Sequence, residues 1–294
     1  MSRSVVLATC RHHPSLTASD ALLASHLQSR GVIVTAAPWD NLAPAELRDT
    51  VVCLRATWDY HKRSDEFRRW ISALREREVV LVNPAETVLW NMDKGYLGWL
   101  ESRGIAIPMT RWIAPGAVID LPGMLAASGW RRAVLKPRIS ATAFGTHLVS
   151  AATVLGSDEA GVLARSGALL QEFVPEIQSA GEISLMFIDG GFSHAVSKRP
   201  SAGDFRVQHE FGGTVGATGA SPSLRDFGAR VLDAIPVPWT YARVDVVDTH
   251  EGPVLMELEL IEPDLFFTFG SDGARRLAEA LDRQCALPGA LQAP

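Results

Sequence analysis

The stretch VLMELELIEPDL, residues 254–265, determines the fold predicted for the C-terminal part of this 294-residue chain. Successive side chains of a β-strand point to opposite faces, so Glu257 and Glu259 share one face while apolar residues occupy the other. The strand therefore has one face that can pack against a core and one face that carries two carboxylates.

The preceding predicted strand, YARVDVV at residues 241–247, contains a third acid, Asp245. A hairpin that pairs Val247 with Leu255 across the turn THEGP would place Asp245 directly opposite Glu257. The pattern therefore predicts that three carboxylates converge on one face of an antiparallel sheet.

Such a cluster repels itself unless protons or cations neutralise it. Carboxylate oxygens suit Mg²⁺, which completes its coordination shell with water and with phosphate oxygens of a substrate. The residues alone leave two interpretations open. One is a Mg²⁺ site for a phosphorylated ligand, and the other is an exposed strand face on which the acids are solvated.

The composition is that of a globular protein, with 47% hydrophobic and 21% charged residues. The formal net charge of −5 argues against nucleic acid and anionic membranes as partners, because both require clustered Lys and Arg. Cys10, Cys53 and Cys285 are scattered, which fits reduced thiols, and the N-terminal apolar run is too short for a signal peptide or a membrane span. We expect a cytoplasmic protein, and a homo-oligomer is left open.

Short apolar segments alternate with amphipathic segments in the N-terminal part of the chain. This alternation predicts a doubly wound parallel sheet of the α/β class. The predicted strands are residues 5–10, 32–39, 51–58 and 79–83, and the predicted helices are residues 18–31, 64–78 and 86–104.

The pattern changes after Gly104, where it predicts a small α+β lobe that includes the loop ISATAFGTH at residues 139–147. Antiparallel strands dominate from Gln171 onward, and a closing helix is predicted at residues 272–285. The Gly- and Ser-rich residues 212–223 predict a mobile surface loop.

Several cationic and apolar positions favour a nucleotide site. Lys136 ends a predicted strand, and Lys94 follows Asp93. The segment LLQEFVPEI, residues 169–177, is interpreted as a connector between lobes, and it has the apolar and extended character that an adenine pocket needs. The fork of Arg206 could bind a carboxylate or an acyl phosphate. Solvated lysines, an ordinary interdomain linker and a charged surface hairpin are the competing interpretations.

The N-terminal sheet predicts a substrate region at the carboxyl end of its strands, where ligands bind in open parallel sheets. The segment RATWDYH follows one such strand and carries Trp58, Asp59, Tyr60 and His61. The turn RHHP at residues 11–14 lies at the end of another strand, and solvated loop histidines are the alternative there.

The chain resembles ATP-grasp enzymes of the glutathione-synthetase-like kind in the order and spacing of its motifs. These are N-x-x-K at 91–94, V-L-K-P at 134–137, Q-E-F-V-P-E-I at 171–177, G-E at 181–182, G-D-F-R at 203–206, G-G at 212–213, Asp245, and E-L-E at 257–259. Within that superfamily, RATWDYH, NMDKGYL and VLMELELIEPDLF most resemble the D-cycloserine ligase and its relatives. The resemblance implies a Rossmann-like pre-ATP-grasp domain over residues 1–90, a small lid subdomain over 91–170 and an antiparallel C-terminal lobe over 171–294.

The resemblance also implies roles for individual residues. ATP contacts fall to Lys94, Lys136, Glu172, Phe173, Val174 and Glu182, Mg²⁺ ligation to Asp245, Glu257 and Glu259, and catalysis to Arg206 and Lys198. Glu259 stands where glutathione synthetases often have Asn, and the added charge favours two Mg²⁺ ions, with Mn²⁺ as the alternative metal. Trp58, Asp59, Tyr60 and His61 would contact a small amino-acid-like substrate.

The reaction implied is ATP-dependent activation of a substrate carboxylate as an acyl phosphate, followed by attack of a nitrogen. For a cycloserine-type enzyme the attack is intramolecular and closes O-ureido-D-serine to a ring. The alternatives are an intermolecular amino-acid or peptide ligase on the same scaffold, and a regulatory module that binds ATP without chemistry.

Overall fold

A computed structural model describes residues 3–207 and 211–286 of the chain. Within these ranges thirteen strands form three sheets. The strands are β1 Ser4–Thr9, β2 Ile33–Pro38, β3 Val51–Leu54, β4 Leu81–Val82, β5 Thr110–Ile113, β6 Ala133–Pro137, β7 His147–Val149, β8 Ala168–Glu172, β9 Glu182–Ile188, β10 Gly191–Arg199, β11 Thr214–Thr218, β12 Tyr241–Thr249 and β13 Gly252–Glu259. The helices are α1 Ala18–Ser29, α2 Ser64–Glu76, α3 Ala85–Asn91, α4 Tyr96–Glu101, α5 Leu121–Ser128, α6 Ser157–Ser166, α7 Glu176–Ser179, α8 Pro222–Asp233 and α9 Ser271–Cys285.

The first sheet has the strand order β2-β1-β3-β4, and all of its pairs are parallel, which confirms the parallel sheet predicted from the alternation. Helix α1 begins after Thr17, whose hydroxyl accepts a hydrogen bond from the Asp20 amide and so caps the helix. It ends before Gly31, whose φ of 76° suits glycine.

The helix predicted at residues 86–104 is wrong as one element, because the chain forms two short helices, α3 and α4. In the break, the Asp93 carboxylate accepts a hydrogen bond from the Gly95 amide at 2.8 Å. The Lys94 amide donates to the Arg138 carbonyl at 2.9 Å, a bond to the small lobe that no local pattern contains. The break directs Lys94 to the cleft between the lobes.

The second sheet has the order β5-β8-β6-β7. Its central strand β8 contains the first part of the segment that was interpreted as an interdomain connector. That interpretation is wrong for residues 169–172, which pair with both β5 and β6. The proposed lobe boundary at residue 171 falls inside this strand, and the division into three lobes stays a proposal.

The third sheet has the order β11-β10-β9-β12-β13 and is antiparallel throughout, as predicted. The Gly- and Ser-rich residues 212–223 do not form a loop alone, because β11 lies within them and pairs with β10. The last helix, α9, packs its leucines against α1, so the C-terminal helix covers the core of the first sheet.

Candidate active site

A cavity of about 310 Å³ lies where the three sheets meet. Its walls combine an apolar end, a charged middle and a third part contributed by the N-terminal lobe. The apolar end includes Glu172, Phe173, Val174, Phe205, Val207 and Met256. The charged middle includes Lys94, Lys136, Glu182, Lys198, Arg206, Arg243, Glu257 and Glu259. The N-terminal lobe contributes Trp58 and Tyr60, and Glu262 lies beside them.

The β12–β13 hairpin places Asp245 opposite Glu257, as the sequence predicted. The pairing behind that prediction is wrong, because Val247 pairs with Val254 rather than with Leu255. A bulge after Asp245 shifts the register by one residue, leaving Met256 without a partner in the ladder. Met256 was expected on the core face, and it packs instead with the apolar end of the cavity.

The three predicted carboxylates do not converge into one cluster. In the described part of the chain, no three Asp, Glu, His or Cys side chains are close enough together to hold a metal ion. Each acid is instead turned toward a cation of the protein, since like charges at this spacing repel one another. Ligation by these acids therefore requires their side chains to exchange partners.

Arg243 and Lys198 neutralise the acids on β12 and its neighbours. Arg243 bonds the Asp245 carboxylate through Nε at 3.0 Å and Nη2 at 2.9 Å, and its Nη2 also contacts Glu259. Ser184 donates to Asp245 at 2.5 Å. Burial raises the pKa of Asp245, but Arg243 and Lys198 outweigh it and bring that pKa down to about 2. Asp245 is therefore buried and ionised, which makes it a candidate ligand for a metal ion.

The pKa values of Glu257 and Glu259 are shifted in opposite directions, although the two acids share a strand face. Burial disfavours the charge on Glu257, yet Lys94 and Lys136 lower its pKa, and Lys94 Nζ lies 2.7 Å from its carboxylate. Burial raises the pKa of Glu259 to about 7, because the charges of Glu257 and Asp245 add to burial and outweigh Arg243. A divalent cation at this face would stabilise the ionised form of both acids.

Lys198 and Glu182 form a buried ion pair at 2.5 Å, and Lys198 Nζ also lies 3.2 Å from Asp245. Burial alone would lower the pKa of Lys198, but Asp245 and Glu182 outweigh burial, and the net effect is a raised pKa. The ammonium group therefore stays charged. Gly181 precedes Glu182 with a φ of 85°, and a side chain there would collide with the Lys198 carbonyl. The structure therefore pairs Glu182, which the resemblance assigns to ATP, with the predicted catalytic lysine.

The two predicted phosphate-binding lysines line the cavity and are both buried. Lys94 Nζ is bound to Glu257 and to the Ser140 carbonyl at 2.9 Å. Lys136 has no carboxylate within ion-pair distance among residues 3–207 and 211–286. Burial lowers the pKa of Lys136 to about 8. Lys136 is the better placed of the two to accept an anionic group without breaking an ion pair.

The apolar end of the cavity fits the predicted adenine contacts. Phe173 and Val174 cluster there with Phe205, Val207 and Met256, and Glu172 lines the same cavity. An apolar slot beside the end of a strand can hold a planar base while backbone groups bond to its edge.

Arg206 lines the cavity but is not free in this structure. Its guanidinium bonds to Asp204 at 2.8 Å and 3.1 Å and lies 3.6 Å from the ring centroid of Phe211. Those hydrogen bonds lower the pKa of Asp204 to about 2. Residues 208–210, which follow in the same segment, lie outside the described residues.

The N-terminal lobe contributes two of its four predicted substrate residues to the cavity, Trp58 and Tyr60. Asp59 and His61 do not line it. The Asp59 carboxylate accepts a hydrogen bond from Trp39 Nε1 at 2.9 Å, and the His61 ring is buried against Phe144 at 5.0 Å. Of the RHHP turn, the His13 ring contacts the edge of Trp58 at 5.0 Å.

Arg243 and Glu262 line the cavity and were not predicted. Arg243 could have been found by alternation, because it stands two residues before Asp245 and so shares its strand face. Glu262 lies within residues 254–265 but beyond the end of β13, where strand alternation no longer fixes the direction of a side chain.

In sequence and in structure the chain is similar to proteins of cycloserine biosynthesis. The family described as "D-cycloserine synthetase DcsG, N-terminal domain" matches residues 5–83. The cycloserine biosynthesis protein DcsG of Streptomyces lavendulae is 30% identical over 269 residues, which cover 85% of this chain and 88% of that protein. The crystal structure of D-cycloserine synthetase DcsG has a TM-score of 0.81 and 27% identity, covering 96% of this chain and 99% of that chain.

A RimK domain ATP-grasp protein from Sphaerobacter thermophilus has a TM-score of 0.66 and 20% identity, over 95% of this chain and 98% of that chain. That likeness shows the fold and confirms the ATP-grasp prediction. No helix in residues 3–207 or 211–286 is long and apolar enough to cross a membrane. The chain belongs to the cycloserine-synthetase-like family of ATP-grasp ligases, ADP-forming enzymes that make C–N bonds.

Proposed function

We propose that this protein uses ATP and Mg²⁺ to activate the carboxylate of O-ureido-D-serine as an acyl phosphate, which the oxygen-bonded ureido nitrogen attacks to close the ring and release phosphate. Hydrolysis of the carbamoyl group on that nitrogen, with loss of CO₂ and NH₃, gives D-cycloserine. The observation that carries the proposal is the 30% identity to the Streptomyces cycloserine protein over both the ATP-grasp lobes and the N-terminal lobe. The N-terminal lobe supplies Trp58 and Tyr60 to the cavity, so the shared region includes the part that would contact the substrate.

The charged middle of the cavity suits the ATP phosphates. Lys136 would meet them directly, and Lys94 would exchange its bond to Glu257 for a phosphate oxygen. Asp245, Glu257 and Glu259 would hold Mg²⁺, and we propose two ions because these three acids carry more charge than one ion neutralises. When bound, the metal neutralises phosphate charge as the γ-phosphoryl group is transferred.

Lys198 and Arg206 would stabilise the negative charge that develops on the transferring phosphoryl group and on the tetrahedral adduct. For Arg206 this requires release from Asp204, so we propose that substrate phosphate replaces that carboxylate. Lys198 already lies beside Asp245 with its charge maintained by two acids.

The loop at residues 139–147 would exclude water from the acyl phosphate. Ala141 packs against the core of the N-terminal lobe, and the Ser140 carbonyl accepts a bond from Lys94. The loop thus connects the small lobe to both neighbouring walls of the cavity. Exclusion of water protects a reactive acyl phosphate from hydrolysis.

Ring closure within one substrate gains from proximity, which can contribute up to roughly 7–11 kcal/mol to lowering a barrier. The alternative, an intermolecular ligase, shares the scaffold and would need a second amine. A regulatory module without chemistry is disfavoured by the buried and charged Lys198, Arg243 and Asp245, because a module that only binds ATP has no need to bury this set.

We expect O-ureido-D-serine alone to stimulate ADP release and to yield a cyclic product detectable by mass spectrometry. Chelation of Mg²⁺ with EDTA should abolish both signals, and excess Mg²⁺ should restore them. An intermolecular ligase would instead stay at its basal rate until a second amine is added. No stimulation by this compound would sink the cyclase proposal and leave the ligase assignment intact.

ATP affinity should depend on the charge of Lys136. Because its pKa is lowered to about 8, the ammonium is present below that pH and is lost above it, and an anionic ligand favours the charged form. We expect ATP to bind about tenfold more weakly at pH 9 than at pH 7. Lys136→Arg keeps its charge across this range and should remove most of the difference, measured by calorimetry with a non-hydrolysable ATP analogue. A Lys136→Arg variant with an unchanged pH profile would contradict the assignment.

A further inference from the structure

Glu262 is a buried acid of the cavity to which the proposed function assigns no role in ATP or metal binding. Its residue is 7% exposed and lines the cavity beside Trp58 and Tyr60. Its backbone is fixed on the N-terminal lobe, since its carbonyl accepts a hydrogen bond from Trp58 Nε1 at 3.2 Å. The next carbonyl, that of Pro263, accepts from Arg55 at 2.8 Å. The position of Glu262 is therefore set by two bonds that cross between lobes.

The Glu262 carboxyl differs from three other acids that line the cavity in lacking a cation. Glu182 is paired with Lys198, Glu257 with Lys94, and Glu259 with Arg243. Among residues 3–207 and 211–286, the Glu262 side chain has no ion pair and no hydrogen bond. A buried carboxyl is costly without a partner, so a native site that keeps one commonly supplies that partner with the ligand.

The position of Glu262 along the chain indicates which part of a ligand it would meet. Met256 packs at the apolar end, and Glu257 and Glu259 follow on the same strand toward the N-terminal lobe. Ile261 then packs into the N-terminal core, so Glu262 lies beyond the phosphate region as seen from the apolar end. With ATP placed as in the proposed function, a group there would belong to the carboxylate substrate and not to ATP.

We propose that Glu262 binds the α-ammonium group of the amino-acid substrate and thereby selects amine-bearing carboxylates over their des-amino counterparts. This role for Glu262 rests on the proposed function, because it requires a carboxylate substrate in this cavity. The new element is the group recognised, an α-ammonium, and the residue that recognises it, Glu262. An ammonium group supplies the cation and the hydrogen-bond donors that this carboxyl lacks.

The protonation of Glu262 supports the same conclusion. Burial raises its pKa well above the usual value, and the charges that act on it, in decreasing order, are those of Glu259, Lys94, Glu257 and Arg243. Burial and the neighbouring acids thus disfavour the ionised form of this carboxyl. An ammonium ligand favours the ionised form, so its binding should release a proton from Glu262.

The test compares O-ureido-D-serine with its des-amino analogue, each titrated into protein loaded with Mg²⁺ and a non-hydrolysable ATP analogue. We expect the wild-type protein to bind the amine at least tenfold more tightly, and Glu262→Gln to bring this ratio close to one. Glu251→Gln, on the exposed turn between β12 and β13, is the matched control and should keep the wild-type ratio. Binding of the ATP analogue should be the same in all three proteins.

A second measurement uses only the wild-type protein, in case Glu262→Gln does not fold. Calorimetry in two buffers of different ionisation enthalpy should show net proton release with the amine near neutral pH and none with the des-amino analogue. Equal affinities for the two ligands, failure of both to bind, or a Glu262→Gln variant that keeps the amine preference would overturn the proposal. Failure of ring closure together with an intact amine preference would instead overturn the proposed reaction alone.

Discussion

Replacing Glu257 with Gln is expected to lower kcat/KM for ATP-dependent product formation by about 10²–10³-fold, the range found when one electrostatic group at a reacting centre is lost. Gln keeps the size of the side chain and one acceptor oxygen but removes the charge. In the structure Glu257 stands opposite Asp245 and holds Lys94 at 2.7 Å. The change therefore weakens both the proposed metal site and the placement of a phosphate-binding lysine.

The measurement is steady-state ADP release with Mg²⁺ varied, so that a metal role appears as a raised Mg²⁺ requirement in addition to a lower rate. Glu251→Gln is the control, because it makes the same chemical change on the exposed turn of this hairpin. A Glu257→Gln enzyme with wild-type turnover at wild-type Mg²⁺ would show that the metal assignment is wrong.

Much of the site was predictable because strand alternation is local. The two-residue period places Glu257 and Glu259 on one face, and the hairpin brings Asp245 to them without any long-range information. The period also predicts Leu258 and Leu260 in the core, where the structure has them. What the period could not predict is the bulge after Asp245, which moved Met256 from the core face to the cavity.

Other features depend on contacts between distant segments. The helix expected at residues 86–104 is broken where Lys94 bonds to the Arg138 carbonyl, 44 residues away along the chain. The acids were expected to converge on a metal, and the structure pairs each with a cation, among them Arg243 and Lys198. Residues 169–172 were expected to connect lobes, and they form a central strand because two partners flank them. In each of these cases, a contact between segments that are distant in the sequence determines the local structure.

Replacing Asp20 with Ala should produce the largest loss of stability among the substitutions considered. Asp20 and Arg55 form an ion pair at 2.7 Å whose side chains are 4% and 0% exposed. Removing one partner of a buried pair leaves an uncompensated charge, which typically costs about 3–5 kcal/mol. The Asp20 carboxylate also accepts a hydrogen bond at 2.9 Å from the hydroxyl of Thr17, the residue that caps α1, and this bond is lost in the variant.

The free energy of unfolding should be measured by urea denaturation, with the exposed pair of Arg275 and Asp272 as the reference. Asp272→Ala should cost less than about 1 kcal/mol, because its side chain is 67% exposed and water screens the pair. Equal losses in the two variants would show that burial of the Asp20 pair adds nothing to the free energy of unfolding.

Arg55 also donates to the Pro263 carbonyl, next to Glu262, so Asp20→Ala should loosen the substrate end of the cavity. The proposed ATP site lies at the far end, so the folded variant should keep its ATP affinity and lose affinity for the amino-acid substrate.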